Sequence, residues 1–112
     1  GGVHPGCRHG ARPLVIVGSC LIELDIPGAQ SLKDKRSVVK SMLARVQNQF
    51  KISAAEVGDL DQWRSAQLGL AVVSNSAPHA SEVLQKAVRY LEAGHWDAEI
   101  TDVQYETEVI FE

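Results

Sequence analysis

The sequence predicts a two-layer α+β domain of order βαββαβ, a four-stranded antiparallel sheet with two helices on one face. Three patterns predict it. Segments 14–26 and 67–75 are apolar on both faces, as central strands are. Segments 31–48 and 77–93 carry apolar stripes at helical spacing, and the last segment alternates apolar and polar residues like a half-exposed strand. At 112 residues the chain is one domain's worth and buries a single two-layer core without staples.

Residues 1–13, rich in Gly, Pro and polar side chains and without period, read as a tail ahead of a single domain spanning 14–112. Leu14 to Ile26 is the first strand, with Ile16, Cys20, Ile22 and Leu24 on one face and Val15, Val17 and Leu21 on the other. Pro27-Gly28 ends it. Ser31 is a good N-cap for the first helix, and Asp34 three residues on complements the positive helix end. Val39, Met42, Leu43, Val46 and Phe50 form its apolar stripe, and the helix is expected to reach about Asn48.

Lys51 to Val57 reads as a short second strand, Gly58 to Trp63 as a loop, and Gln67 to Asn75 as the third strand. A second helix opens at Ala77-Pro78, where proline is tolerated in the first turn, and Gly94 is placed to stop it. Ala80, Val83, Leu84, Ala87, Val88 and Leu91 give it the cleanest stripe in the chain. From Asp97 the residues alternate strictly. Val103, Tyr105, Thr107, Val109 and Phe111 are expected on one face, Gln104, Glu106 and Glu108 on the other, at a sheet edge. Two strand–helix–strand halves with right-handed crossovers then put the first and third strands at the centre, which is a ferredoxin-like sandwich.

Composition narrows the function. Hydrophobic residues at 45% and charged residues at 22% describe an ordinary globular protein, and no apolar run approaches the ~20 residues that cross a bilayer. With no convincing signal peptide, a cytoplasmic location is expected. Cys7 and Cys20 make no disulfide framework, and a bridge between them is not expected in a reducing compartment. His4, Cys7 and His9 are ligand types suited to zinc or nickel, but their spacing fits no strong metal pattern, so no metal and no cofactor is expected.

Charge is unevenly placed. Residues 1–51 hold eight basic and three acidic side chains, a net of +5, whereas residues 52–112 hold three basic and eleven acidic, a net of −8. Six of the basic residues, Lys33, Lys35, Arg36, Lys40, Arg45 and Lys51, lie between Ser31 and Lys51 against the single acid Asp34. Cations at a helix N-terminus oppose the dipole by about 0.3–1 kcal/mol each, so helix stability does not explain them. They read either as a phosphate-binding patch for a nucleic-acid backbone or as a solvated helix face.

The free faces of the central strands offer Val15, Val17, Leu21, Ala71 and Val73 and no aromatic residue. Base stacking on the sheet is therefore not expected, and a protein interface between copies is the natural use of such a face. Asp59, Asp61 and Trp63 read as an acid pair beside an aromatic, or as a solvated hairpin loop with Trp63 capping the core; His79 and His95 lie at the ends of the second helix. No nucleophile stands in a telling context and there is no phosphate-binding Gly loop, so catalysis and a small-molecule substrate are not expected.

The run from Ile26 to Lys40, IPGAQSLKDKRSVVK, resembles the YlxP-like family of small bacterial proteins, catalogued as a domain of unknown function. Ala55 to Asp59 (AEVGD) with Trp63 after it, and Leu68 to Asn75 (LGLAVVSN), fit the same family, so the resemblance covers nearly all of residues 15–95. The last strand agrees only in its alternation. The resemblance implies a ferredoxin-like fold. It also implies a ribosome- or RNA-linked role, because the family's genes often neighbour those for translation initiation and ribosome maturation factors. The expectation is a non-enzymatic binding protein that contacts RNA or a ribosomal subunit through the basic helix, with the acids Glu106, Glu108 and Glu112 orienting that contact. The alternative is a protein-interaction or homodimerisation module that uses the open sheet face.

Overall fold

A computed structural model describes residues 12–112. The tail assigned to residues 1–13, the His4–Cys7–His9 grouping and a Cys7–Cys20 bridge therefore lie outside the described residues, wholly or in part. The elements run β1 (Val15–Asp25), α1 (Leu32–Phe50), β2 (Ser53–Gly58), β3 (Ser65–Ser74), α2 (Ala77–Ala93) and β4 (Glu99–Phe111). The sheet order is β2-β3-β1-β4, every pair antiparallel, with β1 and β3 central as their two-sided apolar pattern requires. This is the ferredoxin-like sandwich.

Every second residue of β1 faces the helices, and Ile16, Cys20, Ile22 and Leu24 are buried there. Leu68 and Leu70 of β3, Met42 and Val46 of α1 and Leu84 and Leu91 of α2 close the same aliphatic core. Each such side chain contributes about 1.5–3 kcal/mol by leaving water. α1 lies over β2, while α2 covers β1, β3 and β4. α2 comes close to β1 because Gly18 has no side chain. A Cβ there would stand 3.0 Å from Cβ of Ala80 and 3.1 Å from Cδ1 of Leu84.

Both helices begin as their sequences dictate. The hydroxyl of Ser31 accepts the amide of Asp34, whose carboxylate accepts the amide of Gln30, a reciprocal cap. Ser76 caps α2 through the amide of His79. α1 runs to Phe50, one turn's fraction past the expected Asn48, and ends on Lys51 in the left-handed conformation at φ 56°. Phe50 meets Tyr90 edge-on at 5.5 Å, which ties the last turn of α1 to α2.

One expectation for β4 fails at its end. Val103, Tyr105, Thr107 and Val109 pair with Ile22, Cys20, Gly18 and Ile16 on the helix side, but the register shifts before Val15, which pairs with Phe111. Ile110 is the extra residue, and Phe111 crosses to the open face beside Val15 instead of staying with Val109. A second shift leaves Thr101 unpaired, and its hydroxyl donates to the carbonyl of Glu23 at 3.3 Å.

Burial pushes the Cys20 thiol from 9.0 up to about 11, against a smaller lowering by a backbone hydrogen bond to Leu70. The native chain thus holds a proton that the unfolded chain releases, so this thiol lowers stability as pH rises through that window.

Two outcomes test this packing. Alkylation with iodoacetamide at about pH 8 is expected to spare Cys20 in the native chain and to reach it in strong denaturant, read by peptide mass mapping. Gly18→Val is expected to cost about 1–3 kcal/mol in urea unfolding, because it overpacks the β1–α2 contact; a variant as stable as the parent would show that α2 does not sit this close.

Candidate nucleic-acid interface

The tripeptide Asp34-Lys35-Arg36 sends its side chains in three directions, because successive helical residues turn by about 100°. Asp34 closes the cap, Arg36 is exposed, and Lys35 points inward. Lys35 lies one turn before Val39 and two before Met42, on the apolar stripe, and none of it reaches solvent. Its ammonium donates to the carbonyls of Asp59 at 2.6 Å, Ser65 at 3.2 Å and Leu60 at 3.4 Å. Oε2 of Glu56 stands 2.9 Å away and balances the charge, although the oxygen lies outside hydrogen-bonding alignment.

This corrects the expectation that Lys35 contacts phosphate. It is a structural cation, enclosed by the segment that joins β2 to β3.

That segment is tied down at several points. Asp59 takes the left-handed conformation at φ 56°, which turns its carbonyl to Lys35, and the same carbonyl accepts the amide of Gln62 at 3.0 Å. Nε of Arg64 donates to the carbonyl of Ala29 at 3.2 Å, and the carbonyl of Arg64 accepts the amide of Ile26 at 2.8 Å. The 59–65 segment is therefore laced to the first turn of α1 and to the chain leading into it. Its outer side carries Leu60, 56% exposed, and Trp63, 50% exposed. Trp63 does not cap the core, as one reading of the sequence had it; the core-packed tryptophan is Trp96.

Lys33, Arg36 and Lys40 are exposed on α1. Helical geometry puts all three within an arc of about 60°, over about 10 Å of helix. Among the described residues the salt bridges are Lys35–Glu56 and Lys86–Glu82, so these three cations have no carboxylate within bridging distance. Arg36 and Lys40 also line a shallow groove of about 510 Å³ with Leu43, Gln47 and Glu56, between α1 and β2.

The other two basic residues named by the sequence lie elsewhere. Arg45 is about 140° around the helix from Lys40, and its guanidinium lies over the ring of Trp96, 5.6 Å from the centroid. It belongs to the α1–α2 seam and does not extend the stripe. Lys51 caps the far end, about 16 Å along the axis from Lys40.

The profile of a family described as "Protein of unknown function (DUF503)" matches residues 17–105. The chain belongs to the DUF503 family. This DUF503 chain is 37% identical over 78 residues to "Uncharacterized protein YlxP" of Bacillus subtilis (strain 168), a span of 70% of this chain and 85% of the relative. The solution NMR structure of a de novo designed protein with ferredoxin fold is similar over 86% of each chain, at 13% sequence identity and a TM-score of 0.44.

Within the DUF503 domain, Trp63 and Arg64 are the residues that sequence reasoning did not join to the basic helix. The signal that could have joined them is Lys35 itself, a lysine on an apolar stripe, which needs acceptors from elsewhere in the fold.

Lys35→Met is expected to lower stability by about 3–5 kcal/mol in urea unfolding, because it leaves Glu56 and the loop carbonyls without their cation. The amides of Gln62 and Ile26, which are hydrogen-bonded to the carbonyls of Asp59 and Arg64, are expected to lose hydrogen-exchange protection in the same variant. Parental stability together with a protected loop would contradict the role given to Lys35.

Proposed function

We propose that this chain binds single-stranded segments of RNA, with a ribosomal subunit as the source, and performs no catalysis. The observation that carries the reading is the stripe Lys33–Arg36–Lys40, three cations without carboxylate partners beside a tethered loop that displays Trp63. Cations tracking a backbone next to an aromatic platform are the two components of single-strand binding. A fixed loop also loses little freedom when a base stacks on it.

Charge elsewhere in the fold supports the orientation. Glu106 and Glu108 pair with Ser19 and Val17 on the side of the sheet away from the helices, along the edge opposite β2. They repel phosphate from the far side of the molecule and leave α1 as the approach face.

The test is co-sedimentation with purified small and large ribosomal subunits across a salt series. Neutralising about three phosphates predicts an affinity loss of roughly 20- to 40-fold between 50 and 200 mM salt. Lys33→Glu/Arg36→Glu/Lys40→Glu is expected to abolish the contact, and Trp63→Ala to weaken it by roughly 5- to 150-fold. Both variants leave Lys35 in place and so keep the fold. A parent chain that binds neither subunit at low salt, or a triple variant that binds like the parent, would overturn the reading.

A further inference from the structure

The helices cover one face of the sheet and leave the other bare. On the bare face Val17 of β1 lies beside Val73 of β3, and Leu21 beside Gly69, across which Val57 of β2 leans. Val73 is 70% exposed and Phe111, brought to this side by its bulge, 60%. The centre is low in relief, with Ser19 opposite Ala71 and Ala71 opposite Ser53. None of the strand residues that point this way is basic; Glu106 and Glu108 follow the β4 edge, while Glu23, Asp25 and Asp102 gather at the far end of β1, where Nε2 of Gln67 donates to Glu23 at 3.4 Å. A phosphate backbone is therefore repelled here, and a flat apolar partner fits.

We infer that this face docks on the same face of a second copy of the chain. Size supports the choice. Four strands of 11, 6, 10 and 13 residues, at about 3.3 Å per residue and about 4.8 Å apart, make a footprint of about 630 Å² before side-chain relief is added. A stable interface needs about 800 Å² of accessible surface from each partner, so the whole sheet has to be used. A bound peptide one strand wide would leave most of the apolar rows in water, whereas a second sheet of the same outline covers them.

Charge selects the arrangement. A two-fold axis perpendicular to the strands would lay β4 on β4 and oppose the Glu106–Glu108 rows. An axis along the strands, between β3 and β1, lays β4 of each copy across β2 of the other, keeps the Glu106–Glu108 rows on opposite rims and sets Glu23 of each copy over Gln67 of its partner, whose side-chain amide donates to a carboxylate. In this second arrangement β1 of each copy lies over β3 of its partner, so Val17 of one meets Val73 of the other. Gln104 of one copy then stands level with Ala55 of its partner, because both pair at the level of Leu21 and Gly69.

Sedimentation equilibrium of the full chain tests the interface. A dimer is expected that holds or tightens as salt rises, because salt screens the acidic rims, the opposite trend to phosphate binding. Val17→Asp and Val73→Asp are each expected to raise the dissociation constant at least tenfold, with unchanged thermal unfolding of the monomer. A chain that stays monomeric at high salt, or a dimer that tolerates both substitutions, would overturn the inference. Cross-linking with a short bismaleimide in a Cys7→Ser background tests the axis. Ala55→Cys with Gln104→Cys is expected to join two copies, since within one copy these positions are about 14 Å apart, three strand spacings. A cross-link between copies that carry only Gln104→Cys would overturn the arrangement.

Discussion

An ammonium group cut off from water has to be met by several acceptors at once, or the desolvation of its charge costs several kcal/mol. Lys35 meets that requirement with Glu56 and three backbone carbonyls from the 59–65 segment. The requirement runs both ways. Those carbonyls reach Lys35 only if Asp59 adopts its left-handed conformation and the segment folds back on the first turn of α1. One side chain thus sets where the β2–β3 connection lies, and with it the positions of Trp63 and Arg64. Nothing in the aliphatic core supplies this, because apolar packing has no direction and would accept the loop in many places.

The same loop makes the charge distribution three-dimensional. In sequence the basic residues come first and the acidic ones later. In the fold, Lys33, Arg36 and Lys40 stand on the helix layer over the β2 side, while Glu106 and Glu108 stand on the opposite face at the β4 edge. The dipole of the charges therefore runs diagonally through the domain. Lys35, which by sequence belongs to the positive pole, is neutralised internally by Glu56 and contributes little to the outer field.

The layers, the strand order and most of the core were legible because they rest on periodicity. Two-sided apolar strands had to be central, and the stripes at Val39–Met42–Val46 and Ala80–Leu84–Leu91 had to face them. Contacts that join distant segments were not legible. Lys35 was grouped with its basic neighbours by composition, although its spacing to Val39 and Met42 put it on the buried side, so the helical period carried information that the charge count hid. Arg45 was misplaced for a different reason. Its partner Trp96 lies in the α2–β4 connection, which has no period to read. Phe111 lies off its expected face because a single extra residue, Ile110, reverses the face of all that follows, and the mark it leaves is one apolar side chain at a position where the alternation calls for a polar one.

The α1 stripe and the open sheet face do not compete, and their geometry has a consequence for binding strength. Sheets packed face to face lie about 10 Å apart, and each helix layer adds about 10 Å more on the outside. Two copies joined through their open faces would therefore present their Lys33–Arg36–Lys40 stripes on opposite outer layers, roughly 30 Å apart and turned away from each other. A short oligonucleotide can engage only one stripe, so dimerisation adds nothing to its affinity. A large folded RNA whose strands pass on both sides of the dimer engages both, and the second contact forms at the effective concentration set by the first. In this geometry, preference for an extended ribonucleoprotein surface over a free oligonucleotide arises from the placement of two modest three-cation stripes, without any base-specific contact.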